Sequence, residues 1–239
     1  MVSLSKSIPF ATERLVIVAG HYGVGKTNFA LNLALDAAHA GHAVTLVDLD
    51  IVNPYFRSSD YQDLLDEAGI ELVAPVLAGT SVDVPSLSPR VLSAVERAQR
   101  GECITIIDAG GDDVGAGALG RFAGAIRQAP YTMIVVVNAY RNLTQTADEA
   151  VAILREIEGS SGLKATCIAN NSHLKQSTTV DSLLAQIGFG DEVAAATELS
   201  CVCTCVPKTL LNADVNGVFA AGEHGNIYPV QGYVKTPWE

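Results

Sequence analysis

The chain has 239 residues, of which 49% are hydrophobic and 17% charged. That length and balance suit one α/β domain whose sheet is buried on both faces, and they exclude a disordered chain. The formal net charge of −11 repels phosphate backbones at long range, so no nucleic-acid partner is expected.

No stretch reaches the roughly 20 apolar residues that span a bilayer, and the first residues carry no export-type apolar run. Five cysteines without disulfide spacing suit a reducing compartment. The expectation is a cytoplasmic protein with no membrane partner.

Taken in chain order, residues 14–19 form a short β-branched apolar run that ends at Gly20, the pattern of a buried strand feeding a turn. Residues 26–40 place apolar side chains at helical spacing, with Gly41 where a helix stop belongs. Residues 43–47 are a second apolar run, closed by Asp48. Helical pattern follows over 87–100, in part of 116–129, over 145–158, and over 178–198 with a break near Gly188-Phe189-Gly190. Strands are predicted at 103–107, 131–137, 165–169 and 200–206, the last of the series. Residues 208–239 are rich in Gly, Asn and Pro and read as an irregular tail on a core of 14–207. This βα alternation predicts one domain over 1–239, a mostly parallel sheet with helices on both faces.

Gly20-His21-Tyr22-Gly23-Val24-Gly25-Lys26-Thr27 matches G-x-x-x-x-G-K-[ST] between a strand and a helix. Glycines let backbone N–H groups turn inward around phosphates, and the helix that follows offers its positive end to the same anion. In such a loop Lys26 reaches the outer phosphates and the Thr27 hydroxyl ligates Mg²⁺; Asn28 continues the helix beside them. The fold expected is therefore that of a single-domain P-loop NTPase.

A phosphate loop needs a carboxylate from a neighbouring strand to hold the magnesium shell. Asp108 closes Ile104-Thr105-Ile106-Ile107 and is followed by Ala109-Gly110-Gly111, while Asp48 and Asp50 close the strand after the first helix. All three stand where open parallel sheets bind their ligands, at strand carboxyl ends. Asp112 and Asp113 read as loop residues.

These residues together resemble the MinD/ParA branch of P-loop ATPases, which includes nitrogenase iron protein and the metal-centre maturation ATPases. The resemblance covers about residues 14–207. It implies that Asp48-Leu49-Asp50 is a first switch that positions the attacking water or the magnesium shell. It also implies that Asp108 opens a second switch supporting the metal, with Thr27 and Asp50 as further ligands. Asn170 and Asn171, after a late strand, correspond to the family's adenine-reading position, and Pro207 to a stretch that packs on the base. An Asn-Lys-x-Asp guanine motif is absent, which favours ATP/ADP over guanine nucleotides. The family's leading lysine, which reaches across a dimer, is replaced by His21, and its next glycine by Tyr22; Arg57 in Asn53-Pro54-Tyr55-Phe56-Arg57 offers a substitute cation.

What the resemblance implies is a magnesium-dependent ATPase switch, a nucleotide-dependent homodimer, and an unidentified client protein whose maturation or assembly it serves. A small-molecule kinase or ATP-dependent ligase on the same core is the first alternative, with the irregular 74–90 region as a source of a substrate pocket; a non-catalytic nucleotide-gated scaffold is the second. Cys201, Cys203 and Cys205 alternate along the last predicted strand, and strict period two puts all three on one face. Burial as small hydrophobes is the better reading of them than a metal site.

Overall fold

The structure, a computed structural model, describes residues 8, 10–49, 61–74, 89–111, 113–211, 215, 217 and 226–234, with the side chains of 113 and 114 excepted. Within these residues eight strands form one sheet in the order β3-β2-β4-β1-β5-β6-β7-β8. In chain order they are β1 Leu15–Ala19, β2 Val44–Leu49, β3 Glu71–Val73, β4 Ile104–Ala109, β5 Thr132–Val137, β6 Cys167–Asn170, β7 Ser200–Pro207 and β8 Asn226–Val230. Every neighbouring pair is parallel. The helices that carry the crossovers are α1 Lys26–His39, α2 Gln62–Glu67, α3 Pro89–Gln99, α4 Asp113–Gly120, α5 Ala123–Ile126, α6 Ala147–Ser161, α7 Val180–Ala185 and α8 Phe189–Thr197.

The strands explain the composition. All residues of β1, β2, β4 and β5 are buried, because helices cover both faces of the sheet. Their parity divides the core. Val16, Val18, Leu46, Ile106 and Val136 pack with Phe29, Leu33 and Ala37 of α1. Leu15, Ile17, Val47 and Ile107 pack with α3 and with Leu119, Phe122 and Ile126. Farther along the sheet, Val135, Val137 and Ile168 meet α6 and α8.

Helix ends follow their local chemistry. Gly41 at φ 87° ends α1, with His42 N–H donating to Ala37 O and Gly41 N–H to Ala38 O, the Schellman pattern. Thr146 and Glu149 cap α6 reciprocally, and Gly162 in the left-handed region ends it.

Three expectations change. Residues 226–230, inside the stretch read as an irregular tail, form β8 and pair with β7 along Cys203 to Pro207. Pro229 lacks an N–H for a ladder, so the strand suits only a sheet edge, and that proline is what disguised it. The helix expected within 116–129 is two, α4 and α5, interrupted at Arg121 and Phe122. The cysteine stripe is divided. The β6–β7 register shifts between Ile168 and Ala169, whose partners are Cys201 and Cys203. The extra residue turns Cys201 toward α6 and α8 while Cys203 and Cys205 stay on the α1 side. Burial pushes the Cys201 thiol up to about 12 and the Cys167 thiol up to about 11, so both stay protonated.

Candidate nucleotide site at the phosphate loop

The centre of the sheet positions the site. Strand β1 lies between β4 and β5; the connection leaving β1 runs past β4 to β2, whereas the one leaving β4 runs past β1 to β5, and a ligand crevice opens outside the carboxyl ends at such a reversal. The phosphate loop leaves β1 there. Gly20 (φ 146°) packs against the Val136 carbonyl of β5; Gly23 (φ 77°) and Gly25 (φ 100°) complete the turn. Gly25 caps α1 in the left-handed region, and a side chain there would meet the Asn171 amide.

Lys26 and Thr27 occupy the first turn of α1 and are buried. The Lys26 ammonium donates to the His21 carbonyl at 3.1 Å, so the loop closes on its own cation. Asp48 and Asp108 are direct register partners on β2 and β4, 2% and 1% exposed. Both share the parity of Leu46 and Ile106, which places them on the α1 side of the sheet. Gly111 comes so close that a Cβ would lie 2.6 Å from Tyr22 N and 2.7 Å from Lys26 Nζ. The segment after β4 is thereby packed directly on the phosphate loop. The Thr27 hydroxyl and two carboxylates are hard oxygen donors, the set that suits Mg²⁺, and the loop's cradle suits a phosphate chain.

His21 does not take over the charge of a lysine. Burial, and then the nearby Lys26 charge, lower its pKa below 6.5 against a smaller opposing pull from Glu156, so the ring is neutral at pH 7. Tyr22 stands 54% exposed at the loop's tip. Asp50 and Arg57, with the whole Asn53-Pro54-Tyr55-Phe56-Arg57 segment, lie outside the described residues.

A cavity of about 250 Å³ adjoins the loop at Gly23, Val24 and Gly25. Asn171 and Pro207, two of the residues expected near a base, line it together with Asn28 of the phosphate-loop helix. Asn171 also donates its amide to Val24 O at 2.7 Å and so braces the loop. Asn170 is not brought to this cavity. Its amide donates to Gln186 O and Ile187 O and accepts from Ser172 N–H, so the fully buried side chain is consumed in holding the α7–α8 turn to β6.

Other lining residues escaped the sequence reading. Asn138 follows β5 as Asp108 ends β4, and the strand-end rule would have found it; its amide bonds His173 O and Tyr140 N. His173 is 7% exposed, accepts the Lys175 N–H at Nδ1, and therefore carries its proton on Nε2. Burial, then Arg141 and Lys175, lower its pKa to about 4. Residues 230, 231, 232 and 234 close the far wall, and nothing in their composition marks them. On the opposite side of the loop a second cavity, about 390 Å³, lies among His21, Gly111, Leu143, Glu149 and Glu156.

A buried strand, a glycine loop closing on Lys26, paired strand-end aspartates and an adjoining cavity on a parallel sheet define a P-loop nucleotide-binding domain. Residues 15–182, more than half of the sequence, match the CobQ/CobB/MinD/ParA nucleotide binding domain, and the chain belongs to that family.

Among solved structures the chain is similar to the signal recognition particle 54 kDa protein from Aeropyrum pernix K1 in complex with GDP (20% identity, TM-score 0.52, 83% of this chain and 42% of that one). It is similar also to FtsY from Mycoplasma mycoides (18%, 0.53, 84% and 62%) and to FtsY from Thermotoga maritima (19%, 0.54, 80% and 61%). These identities establish a shared fold, and the chain spans less than two thirds of each of those proteins. No curated protein matches the sequence. Among the described residues no helix is long and apolar enough to cross a membrane.

Proposed function

We propose that the chain is a cytoplasmic Mg-ATP-binding P-loop ATPase that works as a nucleotide-dependent switch in the maturation or assembly of a partner protein. The observation that carries this reading is the gathering of Lys26, Thr27, Asp48 and Asp108 at the carboxyl ends of three adjacent strands, around a glycine loop. The backbone N–H groups of the loop and the Lys26 ammonium hold the phosphate chain. Thr27 and Asp108, with Asp50, hold Mg²⁺, which when bound neutralises charge on the phosphate oxygens. Asp48 orients a water that attacks the γ-phosphorus; the bond to the bridging oxygen breaks, ADP leaves, and the water's proton ends on the released phosphate or in solvent. Arg57 supplies the cation that His21 does not.

The base lies in the 250 Å³ cavity between Asn171 and Pro207. The sequence carries no Asn-Lys-x-Asp guanine motif. That supports ATP over GTP. Residues 48–57 and 108–117 would report the γ-phosphate to a second copy of the chain or to a client.

The test is equilibrium binding and turnover with ATP and GTP in the presence of Mg²⁺. ATP preference in the wild type, with a loss of about 100-fold in ATP affinity in Lys26→Ala (some 2.7 kcal/mol), is the expected result. Equal affinity for the two nucleotides overturns the base assignment, and an unimpaired Lys26→Ala overturns the site. The cavity beside His21 and Gly111 favours a second reading, an acceptor pocket for a kinase or ligase; metabolite-stimulated ATP consumption would select it.

A further inference from the structure

Three polar side chains interrupt the apolar α1. Asn28, Asn32 and Asp36 recur every fourth residue and so form one stripe along the helix that begins in the phosphate loop. A helix otherwise buried in the core has to pair such groups, because a buried amide left without a partner keeps its full desolvation penalty.

Apart from a bond that Asn32 donates to the Asn28 carbonyl at 2.7 Å, their partners come from the last described segment. The Tyr228 hydroxyl donates to Asp36 at 2.7 Å. Asn32 receives the Gln231 N–H at 2.8 Å and donates to Gln231 O at 2.9 Å, fixing both backbone polar groups of that residue. Asn28 donates to Gln231 O at 3.0 Å and receives the N–H groups of Tyr233 at 2.8 Å and Val234 at 3.3 Å. Beneath this ladder Tyr228 packs edge-on against Phe29 of α1 and against Phe10. The same residues, Val230, Gln231, Gly232 and Val234, face Gly23, Gly25 and Asn171 across the cavity beside the loop.

We infer that residues 230–234 are the nucleoside wall of the site, held there by Asn28 and Asn32, so that Asn32 is a positioning residue for the base and ribose and not for the phosphates. Asn32 is 2% exposed, does not line the cavity, and acts through the Gln231 backbone. A wall fixed before binding spares the ligand the cost of ordering it, and that saving applies only to a ligand that touches the wall. Inorganic tripolyphosphate fills the loop alone; a nucleotide fills loop and cavity. The inference rests on the proposed nucleotide binding but not on which base is bound.

The experiment compares Mg-ATP, Mg-GTP and Mg-tripolyphosphate binding by calorimetry in the wild type and Asn32→Ala. Nucleotide affinity falls about tenfold in the variant while tripolyphosphate changes less than about twofold. Equal loss for both ligands, or loss for neither, overturns the inference.

Should Asn32→Ala fail to fold, amide exchange on the wild type decides. Mg-ATP protects Gln231, Tyr233 and Val234 beyond what tripolyphosphate does, and protection by neither or equally by both overturns the wall. If the wild type binds GTP in place of ATP and Asn32→Ala weakens GTP alone, the ATP reading falls and the wall stands. A wild type that binds tripolyphosphate but no nucleotide, or none of the three, overturns both.

Discussion

Gly111 shows how little room the site leaves. A methyl group there would lie 2.6 Å from Tyr22 N, 2.7 Å from Lys26 Nζ and 2.8 Å from the His21 carbonyl carbon, two of them backbone atoms of the phosphate loop. Gly111→Ala therefore shifts the loop or the segment after β4. The expected outcome is a loss of at least about tenfold in Mg-nucleotide affinity by calorimetry, with a stability cost of only about 1–3 kcal/mol for the overpacking. Wild-type affinity in that variant would show that the two segments separate freely.

His173 makes a second prediction at the same scale. Its pKa falls from 6.5 in the unfolded chain to about 4 in the fold, so the folded state binds fewer protons between those values. The resulting stability is fully present above pH 6.5 and is lost as pH falls toward 4, by about 3 kcal/mol at most. His21 and His42 are displaced in the same direction and add to the slope. Denaturant unfolding across pH 4 to 7 measures it, and His173→Gln flattens the curve.

Among the elements, α6 depends on a carboxylate near its end. Glu158 has its side chain 5% exposed, between Arg155 at 2.8 Å and Lys164 at 3.0 Å, and it accepts the Ala165 N–H at 3.0 Å on the way into β6. Burial alone would raise its pKa, but the hydrogen bonds from Lys164, Arg155 and Ala165 outweigh burial and lower it. Its contribution is present above the ordinary glutamate pKa and is lost as pH falls through the lowered one. Glu158→Ala leaves the buried Ala165 amide without an acceptor and should cost about 2–3 kcal/mol in denaturant unfolding at pH 7. Little difference between wild type and variant would mean that water replaces the carboxylate. At the other end of α6, the Thr146–Glu149 box pins the start of the helix.

At the scale of the whole molecule, the phosphate loop emerges mid-sheet, with the carboxyl ends of β4 and β2 on one side and the cavity lined by Asn138, Asn171, Pro207 and Val230 on the other. On the proposed reading the γ-phosphate belongs on the side of β2 and β4, and the base on the side built from β5, β6, β7 and β8. Light scattering with Mg-ADP and then a non-hydrolysable Mg-ATP analogue tests what the switch does. A molar mass that doubles only with the analogue is expected for a nucleotide-dependent homodimer. An unchanged mass would assign the switch to a client protein or move weight to the acceptor-pocket reading.

The phosphate loop, the strand-end aspartates and most of the order of strands and helices through β7 were legible in the sequence, because each rests on neighbours within a few residues. The short α2 and β3 were not expected, since six and three residues show too little of a period to mark an element. A two-residue or 3.6-residue period marks an element, and glycines with a lysine mark an anion loop. What needed the tertiary structure was pairing between segments far apart in the chain. A bulge opposite Ile168 and Ala169 divided the cysteines between two faces. An edge position made a strand of a segment containing Pro229, and some 200 residues of separation hid the hold of Asn28 and Asn32 on Gln231. The two asparagines at the end of β6 look alike in the sequence, yet one is consumed in the fold and the other faces the cavity. An amide takes its role from whichever polar group the folded chain brings within about 3 Å of it, and only the three-dimensional packing decides which group that is.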